Sequence, residues 1–142
     1  MANTQAMCTS FKGELLVGHH NFGTGVVRAA TTADTFKAAL YLASATVNAS
    51  TTAYSSTGEV TGTGYSAGGV TVTFGTAPST SGTTAFVTPS ASITYTTVTL
   101  ATAFDAVLIY NSTQSNKAVS VHTFGSQTVT AGTFTLTMPT ND

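Results

Sequence analysis

In several segments from Phe36 onward, large apolar residues recur at every second position, and that period constrains the fold more than any other feature of the chain. Val70, Val72 and Phe74 alternate with Thr71 and Thr73 in the clearest case. Successive side chains of an extended chain point to opposite faces, so this pattern buries one face and turns hydroxyls outward on the other. Phe36, Ala38, Leu40 and Leu42 alternate with Lys37, Ala39 and Tyr41 and predict a strand over about 35–43. Residues 44–68 are mostly Ser, Thr, Ala and Gly, with Tyr54, Val60 and Tyr65 as the large anchors. Pro78 to Gly82 reads as a turn, and Thr84 to Thr88 as a short strand around Phe86.

Over 92–100 the parity slips by one. Ile93 and Tyr95 share one parity, Val98 and Leu100 the other. One extra residue at Thr96–Thr97, a β-bulge, returns all four to one side. Ala106-Val-Leu-Ile-Tyr110 is apolar without alternation, which predicts a strand covered on both faces. Asn111 to Asn116 forms a turn, after which Val119 and Val121 point inward. Thr130 to Gly132 reads as another turn, followed by a last strand of Phe134, Leu136 and Met138 that ends at Pro139.

One short helix is expected near the start, with Thr9 or Ser10 as its cap, Phe11 and Leu15 on one face, and Gly18 as its stop. Residues 19–34 read as an irregular connection. The expected architecture is all-β: an antiparallel β-sandwich or barrel of about seven strands with one short N-terminal helix. Residues 1–8 form an N-terminal arm and 9–142 a single β domain.

Charge narrows the function. Only 6% of the 142 residues are charged and the net charge is −1, against a usual charged share of about 25%. Four cations cannot build the basic stripe that nucleic acid requires, so no nucleic-acid partner is expected. The apolar share of 42% and the β-branched Thr, about a fifth of the chain, separate it from disordered polar sequences. No run approaches the ~18 apolar residues of a membrane helix, and no membrane partner is expected. The N-terminus has no basic start or apolar core of a secretory signal, so folding in a cytoplasm is expected. Cys8 is alone and has no disulfide partner in the chain.

Each reactive motif has a plain structural reading beside it. Cys8, His19, His20 and His122 include metal-ligand types, but their spacing matches no zinc pattern. Asp34, Glu59 and Asp105 are acids, and His19, His20 and His122 bases, from which a hydrolytic triad can be written. Gly64-Tyr-Ser-Ala-Gly68 fits the bare nucleophile-elbow pattern, yet a strand follows it where the elbow needs a helix. Gly62-Thr-Gly-Tyr-Ser-Ala67 mimics a dinucleotide fingerprint and fails on the same ground. Its glycines are expected to serve turns of positive φ. Asn48 and Asn111 begin glycosylation sequons that the abundance of Ser and Thr produces by chance. The five tyrosines suggest a sugar-stacking platform or, in the plainer reading, core and interface packing. No enzyme activity, cofactor or metal is expected. So little charge suits a surface buried in a repeated assembly, and a homo-oligomer, or a subunit seated on a lattice, is expected.

Thr9-Ser-Phe-Lys-Gly-Glu-Leu-Leu16, Asp34-Thr-Phe-Lys-Ala-Ala-Leu-Tyr41, Glu59-Val-Thr-Gly-Thr-Gly-Tyr-Ser-Ala-Gly-Gly69, Leu108-Ile-Tyr-Asn111 and Asn116-Lys-Ala-Val119 occur in that order. With this string of motifs the chain resembles small structural proteins of tailed-bacteriophage virions. It departs from them at Phe104-Asp-Ala106, where a smaller, Gly-containing approach to the next strand is expected. The resemblance implies a capsid decoration (cement) protein that binds the major capsid protein, acts as a trimer and ends in the virion. It also implies a docking arm, here Ala2, Asn3, Thr4, Gln5, Ala6 and Met7. A tail, neck or fibre-associated role is the alternative, and a glycan-binding surface module a third.

Overall fold

A computed structural model describes residues 3–16, 19–23, 33–74, 79–81 and 84–137. The strands are β1 (Ala6–Met7), β2 (Phe36–Leu42), β3 (Val70–Val72), β4 (Ser79–Ser81), β5 (Thr84–Phe86), β6 (Ile93–Asn111) and β7 (Lys117–Leu136). A single helix, α1 (Thr9–Leu16), joins them among the described residues. All pairings between these strands are antiparallel. One sheet has the order β1-β7-β6-β2-β3, and β4 pairs with β5 separately. The protein is all-β, as the alternation predicts.

The parity slip has the expected cause. Tyr95 lies opposite Phe134 and Val98 opposite Gly132, so Thr96 and Thr97 together face a single residue. Thr97 takes a φ of 52° there, and Ile93, Tyr95, Val98 and Leu100 are all buried. Residues 106–111 are buried without a break, as a strand covered on both faces requires. Val119 and Val121 are buried too.

Four expectations are corrected. The stretches 92–100 and 106–110 belong to one 19-residue strand, and the two strands expected after Asn116 are one 20-residue strand. The turn expected at Thr130–Gly132 is a second bulge. Val98 pairs with Gly132 and Leu100 with Val129, and Ala131 absorbs the extra length at a φ of 45°. A turn and a bulge share the same small, permissive residues, and continued pairing with β6 decides between them. The middle of the turn expected at Pro78–Gly82, Ser79–Ser81, is strand β4, paired with β5. Met138 and Pro139 lie outside the described residues, as do Pro78, Gly82 and Gly18. The last correction concerns α1. Phe11 is buried against His20 and Phe22, but Leu15 is 45% exposed. The chain is anchored just where the helix begins, by Cys8 N to Val119 O and Thr9 N to Ala49 O, and Leu15 on the next turn stands clear. The buried Ser10 hydroxyl has no hydrogen-bond partner, so it caps nothing.

The long hairpin folds over itself. Phe134 lies opposite Tyr95, yet its ring is 5.0 Å from that of Phe104, a residue about 30 Å from Tyr95 along a straight strand. Register shifts between Val98 and Leu100, Leu100 and Phe104, and Phe104 and Ala106 supply the bend. Phe104, Phe124 and Phe134 close its concave side. At the other end Phe22, Phe36 and Phe74 pack together beside Phe11.

Candidate functional site

Residues 43–69 form a strap that carries a polar cluster into the interior. Thr52 O accepts from Ala118 N and Asn116 O from Tyr54 N, which fixes the strap to the start of β7. It then returns to β2, where Leu42 N donates to Gly58 O and Val60 N to Leu40 O, continuing the edge that β3 occupies over Phe36–Ala38. Beyond that, Thr99 N donates to Thr63 O, joining the strap to β6. Its last turn needs two glycines of positive φ. Gly68 (88°) donates to Glu59 and accepts from Tyr110, while at Gly69 (71°) a Cβ would lie 1.6 Å from Ala38 O.

The strap delivers Glu59 into the interior with 6% exposure. Tyr54 donates to Oε2 at 2.6 Å, Tyr65 to Oε1 at 2.7 Å and Gly68 N to Oε1 at 2.8 Å. A buried carboxylate is costly unless its lone pairs are filled, and these three donors fill them. The other tyrosines complete the cluster. Tyr41 donates to Ser55 O, Tyr95 to Ala38 O at 2.8 Å and Tyr110 to Gly68 O at 2.9 Å. Tyr65 also accepts from Leu40 N, and the rings stack in pairs, Tyr54 on Tyr110 and Tyr65 on Tyr95. Burial pushes the Tyr41 hydroxyl up to about 12, with the Glu59 charge adding to it against the Ser55 hydrogen bond. Burial and Glu59 likewise raise Tyr54, Tyr65, Tyr95 and Tyr110 above the ordinary phenol value. Such phenols are poor general bases and stay protonated as donors.

A second polar hub closes the β6–β7 turn. Asn111, fully buried, donates to Asp34 at 2.8 Å and lies 3.3 Å from His20 Nδ1. Its own oxygen accepts from Thr113 N and Gln114 N, and Gln114 reaches Asp34. Burial removes Asn111 from any glycosylation in the folded chain. The turn that a sequence reading places at 111–116 is thus tied from inside by its first residue.

The sequence-derived candidates are scattered. Cys8 is buried with its thiol toward Asn48 O, His19 is exposed, His20 is buried, and His122 sits on an exposed strand face beside Ser120 at 2.9 Å. Among the described residues no three His, Cys, Asp or Glu side chains gather as a metal site. Asp105 accepts from Asn3, and Glu59 from tyrosines. Ser66, in the elbow-like pentapeptide, is exposed on a turn that leads into β3. Beside it runs an open cleft of about 160 Å³ between Gly64–Ser66, Gly69–Val70 and Thr94–Thr96, smaller than the ~300 Å³ from which ligand pockets start. Tyr41, Tyr95 and Tyr110 are each at most 2% exposed, so their faces are not a sugar platform.

The described part of the expected docking arm, Asn3–Met7, is fixed to the body. Asn3 donates to Leu42 O and Asp105 and accepts from Val47 N, and Thr4 N donates to Val47 O. Ala6 and Met7 pair with Val121 and Ser120. Ala2 lies outside the described residues, Gln5 is exposed and Met7 is 49% exposed. The Glu59 cluster is the feature that sequence reading missed as a unit. The isolated large anchors Tyr54, Val60 and Tyr65 in a small-residue stretch were its one local signal. No protein-family model, curated protein or solved structure matches the chain.

Proposed function

We propose that this chain is a structural subunit of a bacteriophage particle, a capsid decoration protein that binds the shell and stabilises it, and not an enzyme. The observation that carries the reading is the use made of the acids. Glu59 and Asp105 are spent on internal ties to tyrosines and Asn3, and Asp34 on the hub beneath the hairpin turn. The outward faces of the bent hairpin carry hydroxyls instead. From residue 118 to 141, and from 60 to 104, there is no Asp, Glu, Lys or Arg. A surface of that kind meets other subunits without like-charge repulsion. The virion setting rests on the motif string of the sequence. Contacts made only in the assembled shell would stabilise that state by linkage. The described part of the arm, Asn3–Met7, would serve as a fixed contact surface, with Met7 presented outward.

Mixing the purified chain with expanded capsids and counting bound copies by cryo-EM tests this. Binding at a stoichiometry comparable to the major capsid protein is expected. No binding to capsids overturns the reading. A few copies confined to one vertex favour the tail or neck alternative, and binding to cells without capsid favours a glycan module.

A further inference from the structure

The outer edge of β7 changes character along its length. From Lys117 to Val121 it is occupied: Ala53 bridges Lys117, Thr52 bonds Ala118, Cys8 bonds Val119, and β1 pairs with Ser120 and Val121. Beyond Val121, among the described residues, β7 pairs with β6 alone. Bulges interrupt it as far as Ala131. From Gly132 to Leu136 β7 has no extra residue of its own: the bulge there lies on β6 at Thr96–Thr97, opposite Thr133, and Phe134, Thr135 and Leu136 then lie in regular register opposite Tyr95, Thr94 and Ile93.

An open strand edge directs amides and carbonyls outward, and soluble monomers blunt such edges with charge, proline or a covering segment. Gly132–Leu136 has no charged residue and no proline. Its two faces differ. Thr133 and Thr135 are exposed, while Phe134 and Leu136 are only partly buried against the core and keep apolar surface to cover. The backbone edge calls for another β-strand, and the uncharged sequence fits a copy of itself.

We propose that Gly132–Leu136 of β7 pairs antiparallel with the same segment of a second copy across a two-fold axis at Phe134. Such a contact is isologous and closes as a dimer. It extends the sheet through the partner and covers Phe134 and Leu136 of both copies. The pairing sets Thr133 of one copy against Thr135 of the other. It is a property of the free chain and stands apart from capsid binding; the trimer implied by the resemblance would need another face.

Sedimentation velocity of the full chain tests it in low salt. The wild type is expected to sediment as a dimer. The double variant Thr133→Lys/Thr135→Lys sets lysine against lysine in both cross-strand pairs and is expected to weaken the dimer roughly tenfold or more. Thr133→Lys/Thr135→Glu sets lysine against glutamate in the same pairs and is expected to restore it. Ser44→Lys/Thr46→Lys, on exposed positions of the strap, adds the same charge and is expected to leave the dimer intact. A wild type that stays monomeric at the highest attainable concentration overturns the proposal. So does an oligomer of any size that Thr133→Lys/Thr135→Lys leaves unchanged, or a Lys/Glu variant no tighter than the Lys/Lys one.

Discussion

The Tyr95 hydroxyl donates to the Ala38 carbonyl at 2.8 Å, although the residue of β6 that pairs with Ala38 is Ile109. In a straight strand Tyr95 would lie about 45 Å from that point. The bond therefore staples the start of β6 to β2, the strand that pairs with the far half of β6, and it does so in the interior, where Tyr95 is 2% exposed. Tyr95→Phe keeps the ring and removes the staple. A loss of about 1 kcal/mol is expected, seen as a melting temperature lower by roughly 4 °C. An unchanged melting curve would show that the ring stacking on Tyr65 holds the bend without the hydroxyl.

Glu59 fills its oxygens with three donors, and each loses its acceptor if the carboxylate is removed. Glu59→Leu strands two phenols and an amide in the interior, at about 1–3 kcal/mol per buried group. Urea denaturation is expected to show a loss of about 3–5 kcal/mol for this variant. Glu59→Gln, which keeps an acceptor oxygen and the shape, is expected to lose clearly less.

The tyrosine cluster sets the alkaline limit of the fold. Tyr41, Tyr54, Tyr65, Tyr95 and Tyr110 all have raised values in the folded chain, Tyr41 at about 12. An unfolded phenol ionises near pH ~10. Above that point the unfolded chain binds fewer protons than the folded one, so stability falls as pH rises. The contribution is complete below about pH 10 and is lost upward through pH ~12. Phenolate absorbance is expected to appear in one cooperative step together with loss of the β-sheet circular dichroism. Independent titration of five tyrosines in a folded chain would contradict the cluster.

Two glycines are expected to respond in opposite ways to alanine. At Gly69 a Cβ would overlap the Ala38 carbonyl, and the φ of 71° disfavours any side chain. Gly69→Ala is expected to cost more than about 3 kcal/mol or to prevent folding. At Gly125 a Cβ meets nothing within 4 Å. Gly125→Ala is expected to be neutral or to stabilise by up to ~1 kcal/mol through reduced freedom of the unfolded chain. Paired thermal melts of the two variants check both.

What the residues decided alone is the local geometry. Alternation of Val70, Val72 and Phe74, the parity slip at Thr96–Thr97 and the unbroken apolar run at 106–110 are short-range facts about which way each side chain points. They made the class, one bulge and the central strand legible. Tertiary structure decided the rest, because pairing partners lie far apart in the chain. Continued contact with β6 turned an expected turn at Thr130–Gly132 into a bulge. The seating of α1 at its first turn left Leu15 outside. Glu59 read as one acid among several until the strap brought it between Tyr54, Tyr65 and the Gly68 amide. A period in the sequence says which face is buried. It does not say which distant donors will meet a carboxylate there, since that depends on how loops close over the sheet and on the bend that brings Tyr95 to Ala38.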